Sequence, residues 1–109
     1  MIRNIATQLV RGTAVTLRYD FPADDDLNGL TARWALARIR SDDRFGPAAD
    51  LEKAGVIVAQ SCSVSLIGAD TANLALGAYQ YELELVDGAG EGAVAAQGRL
   101  ILTAEIVNT

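Results

Sequence analysis

The stretch Ala78-Tyr79-Gln80-Tyr81-Glu82-Leu83-Glu84-Leu85-Val86 decides the fold class of this chain. Aromatic or aliphatic side chains stand at every second position, and mostly polar ones stand between them. Successive side chains of a β-strand point to opposite faces of the sheet, so this alternation predicts a strand with one buried face. We therefore expect Tyr79, Tyr81, Leu83 and Leu85 to be structural residues of the core.

A hairpin follows this strand. Asp87-Gly88-Ala89-Gly90 is turn chemistry, since glycine adopts the positive φ angles that tight hairpins need. Residues 93–103 then return as the partner strand and end in the apolar run Leu100-Ile101-Leu102. A tail over residues 105–107 extends the same apolar character.

Short strand candidates also lie upstream, separated by turn signals. The predicted strands are residues 5–10, 13–19, 31–39, 55–59 and 61–66. Residues 41–54 read as a long connection that Leu51 pins to the core. Over residues 68–76 the strand-like alternation of apolar residues ends. This stretch predicts about a turn and a half of helix, which Asp70 begins and Gly77 ends.

About seven strands and one helical turn predict an all-β, immunoglobulin-like antiparallel sandwich. A small open β-barrel is the alternative. The short helical crossing before Gly77-x-Tyr79-x-Tyr81 assigns Tyr79 to a tyrosine corner, in which the hydroxyl bonds back to nearby backbone. The 109 residues are expected to form one domain over 1–109, with residues 1–10 and 104–109 as possible extending arms.

Composition bounds the class of protein. Half of the residues are hydrophobic, which favours a packed core, and no apolar run approaches the roughly 20 residues of a membrane span. The N-terminus shows no secretion signal, so we expect a protein of the cytoplasm or of a particle assembled there, with no membrane partner. The net charge of −5 argues against nucleic acid as a partner, because phosphate binding needs a basic face.

The side chains that most enzymes use are scarce. The chain has no histidine and one cysteine, Cys62, so it has no histidine general base, catalytic triad, zinc knuckle or internal disulfide. Cys62 lies on the apolar side of an alternating stretch and is interpreted as a buried thiol. We predict that the chain is not an enzyme and has no cofactor and no metal.

Three features have two interpretations each. The three aspartates at 24–26 are interpreted as a solvated acidic turn, because they lack the ligand spacing of an EF-hand; calcium binding is the alternative. Trp34, mid-strand on an apolar face, is predicted to anchor the core, and a ligand-stacking platform is the alternative. Ser61, Ser63 and Ser65 form either a solvated face or a flat face for close packing.

Charge is unevenly distributed along the chain. Arginine is concentrated before residue 50, and acidic residues dominate the second half. Such asymmetry helps identical subunits meet through unlike surfaces, unless folding mixes the charges in space. Arg38 and Arg40 are the candidate basic contacts.

Residues 71–87, residues 98–102, Arg11-Gly12-Thr13 and residues 26–29 carry a family resemblance. Over residues 5–103 the chain resembles the N-terminal immunoglobulin-like domain of siphophage baseplate upper proteins, and related short proteins of phage and prophage structural modules. The resemblance implies a virion domain attached to a tail, baseplate or capsid, in several copies and assembled in the host cytoplasm. We expect no counterpart of the helical linker and receptor-facing region of the longer proteins, and therefore a scaffold, adaptor or decoration role.

The leading hypothesis is therefore a virion structural protein that binds other virion proteins and copies of itself. Residues 100–107 are the predicted open strand edge, with Leu100, Leu102 and Ile106 as partner-binding residues; the alternative is that this run is simply the last core strand. A carbohydrate-binding or adhesion module is a second hypothesis, which an exposed Trp34 would favour. A small cellular regulator or inhibitor with the same fold is the third.

Overall fold

A computed structural model describes residues 7–38 and 49–104 of the chain. Seven strands and one short helix lie in these ranges: β1 (Thr7–Val10), β2 (Val15–Asp20), β3 (Thr31–Arg38), β4 (Leu51–Val58), β5 (Ser61–Leu66), α1 (Gly68–Thr71), β6 (Gly77–Val86) and β7 (Gly92–Thr103). No helix within the two ranges is long and apolar enough to span a membrane.

The strands follow the order β1-β7-β6-β3-β4-β5-β2, and β4 belongs to both layers of the sandwich. Residues 51–55 of β4 pair with β3, and residues 56–58 pair with β5. The sheet therefore folds over along β4 into an immunoglobulin-like β-sandwich, as the alternation predicts. All pairs are antiparallel except that of β1, which runs parallel to β7.

The core is built around Trp34. Its side chain is fully buried on β3 and lies nearly parallel to the ring of Tyr81, with 6.3 Å between the ring centroids. Its indole Nε1 donates a hydrogen bond to the hydroxyl of Tyr19 at 3.1 Å. Burial raises the pKa of Tyr19, so this hydroxyl stays neutral. Trp34 is thus a core anchor, because no face of the indole is open to a ligand.

The alternation of β6 is confirmed by burial. Tyr79, Tyr81 and Leu83 are at most 1% exposed, and Leu85 is half-buried against the same core. The hydroxyl of Tyr79 donates to the carbonyl of Ala75 at 2.6 Å, which confirms the predicted tyrosine corner. This bond ties the start of β6 to the connection that precedes it.

The helix is shorter and earlier than predicted. It comprises only residues 68–71, and Asp70 is its third residue rather than its start. The Asp70 carboxylate accepts the N–H of Ile67 at 2.8 Å and pairs with Lys53 Nζ at 3.0 Å. These two contacts hold the pKa of Asp70 below its usual value. The helix ends at Thr71, whose buried hydroxyl accepts a hydrogen bond from a residue distant in the sequence.

That contact explains the motif Arg11-Gly12-Thr13. The N–H of Gly12 donates to Thr71 Oγ1 at 2.8 Å. Gly12 has a φ of +82°, which favours glycine. A Cβ on Gly68 would stand 2.5 Å from the Gly12 carbonyl oxygen, so both glycines permit the close approach of this turn to α1.

Two predictions about the chain path need correction. Strand β4 begins at Leu51, whereas the sequence predicted a connection as far as Ala54 and a strand over 55–59. Leu51 does pack against the core, as predicted. Of the predicted N-terminal arm, residues 7–10 form β1 within the domain, and Leu9 is buried. Residues 1–6 and 105–109 lie outside the described ranges.

The turn between β4 and β5 has only two residues, Ala59 and Gln60, between the paired Val58 and Ser61. Ala59 has a φ of +53°, a region in which a Cβ is strained. Two-residue hairpins of this kind commonly place glycine at the first turn position. Gln60 secures the turn, since its Nε2 donates to the carbonyls of Pro22 at 2.6 Å and Asp25 at 2.9 Å.

Replacing Ala59 with glycine is therefore expected to raise the free energy of unfolding by about 0.5 kcal/mol, because relief of strain exceeds the greater entropy of glycine in the unfolded chain. Ala54→Gly is the matched control on strand β4, where the φ angle is not positive, and should lose about 0.5–1 kcal/mol. Urea unfolding of both variants measures the difference. An equal loss in the two variants would contradict the strain at Ala59.

Candidate protein-interaction surface

The C-terminal strand is not the open edge that the sequence predicted. Residues 100–102 of β7 lie between β6 and β1, with Leu100 opposite Thr7 and Leu102 opposite Leu9. Leu100 is fully buried and Leu102 is 1% exposed. The prediction that these two leucines contact a partner at a free edge is therefore wrong, because β1 already pairs with that edge and the side chains fill the core.

The other predicted contacts divide between exposed and undescribed residues. Arg38 is exposed at the end of β3, and its backbone N–H donates to Asp50 Oδ2 at 2.7 Å. Arg40 and Ile106 lie outside the described ranges. The structure therefore brings none of the five predicted contacts together into one described surface.

A different apolar surface lies on the outer face of β4. Val56 is 63% exposed and Val58 is 68% exposed, more than any other large hydrophobic side chain in the described part of the chain. Ala54, two residues before Val56, is exposed on the same face of the strand. We call Ala54, Val56 and Val58 the valine patch. It is a continuous apolar strip on a strand that is shared by both layers.

The neighbouring surface of β5 is flat and polar. Cys62, Val64 and Leu66 are buried, so the serines that alternate with them, at positions 61, 63 and 65, point outward as the alternation predicts. Ser63 and Ser61 lie opposite Val56 and Val58. Serine side chains are short, and a partner can approach the backbone closely beside the valine patch. Burial raises the pKa of the Cys62 thiol, which keeps it protonated and unreactive.

The next strand, β2, carries a charged pair on this face. Arg18 Nε lies 2.8 Å from Asp20 Oδ1, and both side chains are 67% exposed. Ser61 Oγ donates to the same carboxylate oxygen at 2.6 Å and accepts from Arg18 Nη2 at 3.1 Å. The hydrogen bond from Ser61 and then that from Arg18 hold the pKa of Asp20 below its usual value. The Asp20 carboxylate therefore stays ionised at neutral pH.

The acidic turn lies at one end of the sandwich. Asp26 Oδ1 accepts the N–H of Asn28 at 3.0 Å, and Gln60 fixes the turn from the β4–β5 hairpin. The three carboxylates are exposed around an open depression. Within residues 7–38 and 49–104, no group of three or more histidine, cysteine, aspartate or glutamate side chains is placed to hold a metal ion.

Aromatic side chains in the described ranges face inward. Each of the five is at most 8% exposed: Tyr19, Phe21, Trp34, Tyr79 and Tyr81. Phe45 lies outside those ranges. The described surface therefore offers no aromatic platform on which a sugar ring could stack.

Sequence reasoning identified the strand Val56-Ile57-Val58 but not the exposure of its valines. Apolar residues at three successive positions must place at least one on each face of a strand. That pattern was the available signal, since Ile57 is the residue that packs against the core. Which face of β4 is buried depends on the opposite layer of the sandwich, and the local sequence pattern does not predict that.

Comparisons with known proteins bear on the fold. No family model matches the chain, and no curated protein matches it. A solved structure of a candidate glycoside hydrolase from Bacteroides vulgatus is similar with a TM-score of 0.50 and 9% identity, over 91% of this chain and 16% of that protein. The NK cell receptor NKp44 has a TM-score of 0.48 and 14% identity, over 94% of this chain and 98% of that one.

Of these likenesses, only that to the hydrolase bears on the fold, and it concerns the β-fold alone, because the identity is low and the chain spans only a small part of that protein. They carry no substrate or partner over to this chain. The resemblance to baseplate upper proteins stays a prediction from the sequence.

Proposed function

We propose that this chain is a non-enzymatic structural component of a tailed bacteriophage virion. It acts by protein–protein assembly in the tail, the baseplate or the capsid surface, and its partners are other virion proteins and copies of itself. The observation that carries the proposal is the valine patch, and the motifs at residues 11–13, 26–29, 71–87 and 98–102 supply the link to phage proteins.

The valine patch has the physical character of a binding surface. Covering an exposed valine side chain contributes about 1.5–3 kcal/mol, and Val56 and Val58 both stand largely in water. Polar groups border the strip, namely the serines of β5 and the Arg18–Asp20 pair of β2. An apolar strip with a polar border is typical of surfaces that associate with other proteins.

Several observations favour assembly over catalysis or sugar binding. The one cysteine, Cys62, is buried, with its pKa raised, and lies among apolar side chains. The aromatic side chains of the described ranges are buried, and Trp34 in particular is inaccessible. The carbohydrate hypothesis therefore lacks the exposed Trp34 that would have favoured it.

The test is co-sedimentation with phage particles. A tagged copy of the chain is expressed in cells that produce the particles, and the lysate is resolved on a density gradient. We expect the wild-type chain in the particle fraction. Val56→Ser combined with Val58→Ser should reduce that fraction by about tenfold or more, because two apolar contacts are lost.

Val94→Ser provides the matched control, since Val94 is an exposed valine on β7, outside the valine patch. It should enter the particle fraction as the wild type does. Circular dichroism establishes that each variant is folded. A wild-type chain that never sediments with the particles would contradict the proposed function, and equal incorporation of all variants would remove the valine patch from it.

A further inference from the structure

The outer edge of strand β2 has no partner strand in the part of the chain that the structure describes. Strand β2 is the last strand in the sheet order, and no described residue pairs with its outer side over Val15–Asp20. Its register with β5 is continuous from Val15 to Asp20, without a bulge, and no proline lies within it. Such an edge presents unpaired N–H and C=O groups to another strand.

The edge of β7 is less open to a partner strand than the edge of β2. Strand β1 covers residues 100–103, and a register shift between Leu83 and Glu84 of β6 marks an irregularity opposite the rest of the strand. Bulges of this kind twist an edge away from flat pairing. Strand β1, at the other end of the sheet order, has only four residues, so the six-residue edge of β2 is the longer of the two terminal edges and the better suited to strand addition.

The register shows which backbone groups are open. The N–H of Phe21 donates to the carbonyl of Gln60 at 2.8 Å, in the same register as the Tyr19–Cys62 pair. In an antiparallel ladder the pairs with direct hydrogen bonds alternate with pairs without them. Tyr19 and its odd-numbered neighbours thus bond to β5, whereas Thr16, Arg18 and Asp20 direct their N–H and C=O groups to the open edge.

The side chains of those open residues make the edge complementary to itself. An antiparallel second copy related by a two-fold axis at Tyr19 places Arg18 opposite Asp20 of that copy, and the reverse pair forms by symmetry. A shift of one residue would turn the buried face of β2 to water. A shift of two residues would place Arg18 opposite Arg18. Among the registers that keep the buried face inward, the one centred on Tyr19 sets each arginine opposite an aspartate, and it joins the two β2 strands over residues 18–20.

We propose that two copies of this chain pair through their β2 strands, antiparallel and centred on Tyr19. The inference rests on the proposed assembly role and names one of its contacts. Each Arg18–Asp20 ion pair within a chain exchanges for one between chains, while the backbone gains new hydrogen bonds. The two β5 serine rows then lie on one continuous sheet, and the valine patches at its two ends stay open to other proteins.

The test uses two charge reversals and their mixture. Sedimentation equilibrium of the wild-type chain over a wide concentration range should show a reversible dimer. Arg18→Asp sets carboxylate against carboxylate at both opposed pairs, and Asp20→Arg sets guanidinium against guanidinium at both. Each variant alone should therefore associate about 30-fold more weakly. An equimolar mixture of the two variants should dimerise again, because every opposed pair is then unlike in charge.

Arg33→Asp is the control, since Arg33 is an exposed arginine on β3 and away from β2; its dimer should match that of the wild type. Thermal melting establishes that all variants are folded. A wild-type chain that is monomeric at every concentration, a dimer that resists both reversals, or a mixture that stays monomeric would each overturn the pairing. Particle co-sedimentation is scored separately, so a chain that enters particles without dimerising refutes this contact and leaves the proposed function standing.

Discussion

Replacing Trp34 with alanine is expected to lower the free energy of unfolding by about 3–5 kcal/mol. The indole is fully buried, packs on Tyr81 and donates to the Tyr19 hydroxyl, so its removal leaves a cavity and deletes a buried hydrogen bond. A domain of this size is stabilised by only about 5–15 kcal/mol, so the variant should be close to unfolding.

Urea unfolding followed by far-ultraviolet circular dichroism measures this change, because Trp34 is the only tryptophan and its fluorescence is lost with it. Trp34→Phe is the matched variant. It keeps an aromatic ring near Tyr81 but removes the indole donor, and we expect a smaller loss of about 1–3 kcal/mol. An alanine variant as stable as the wild type would contradict the central place of Trp34 in the core.

Introducing valine at Gly55 is expected to cost about 1–3 kcal/mol or more. Gly55 is the last residue of β4 to pair with β3 before the strand passes to β5. A Cβ there would stand 2.7 Å from the Cys62 sulfur and 2.9 Å from the Ala32 Cβ. Both neighbours are buried, so neither has space to retreat.

Ala54→Val is the control for Gly55→Val, because residue 54 precedes it on the same strand but points outward, where valine suits a strand. We expect that control to lie within about 0.5 kcal/mol of the wild type. Adding Cys62→Ala to Gly55→Val should recover part of the loss, since the substitution removes the nearest clashing atom. Equal stability of the residue 54 and 55 variants would show that β4 is not tightly packed at this point.

The sequence predicts those elements whose pattern is local. The alternation at residues 78–86 and at 61–66 depends on side chains two positions apart, and the observed strands β6 and β5 agree with it closely. Tyr79 follows the same logic, because its hydrogen bond reaches only four residues back along the chain. Trp34 is identified as core because it stands among alternating apolar positions.

Other elements depend on partners far away in the sequence. Residues 51–54 look like a polar connection, and they form a strand because β3 supplies a hydrogen-bonding edge beside them. The parallel pairing of β1 with β7 joins the first and last strands of the described chain and removes the edge that the apolar run at 100–102 suggested. Local periodicity contains neither fact.

The candidate surface was missed for the same reason. Leu100 and Leu102 are apolar and near the C-terminus, which made them attractive contacts, yet β1 and the core cover them. Val56 and Val58 are equally apolar, and their outward direction follows only from the covering of Ile57 on the opposite face. Which side chains are exposed depends on how the two layers pack. The one indication in the sequence was that β4 has apolar residues on both faces, one of which must be exposed or covered by a partner.

The parallel pairing of β1 with β7 also determines how the domain bears a pulling force. The chain enters at Thr7, at one end of this ladder, and leaves after Thr103, at the other end. Tension between the two termini therefore acts along the strands, in shear, so that all the hydrogen bonds between β1 and β7 resist it at once. An antiparallel terminal pair would instead lose its hydrogen bonds one at a time, from one end. The first and last strands thus form a mechanical clamp.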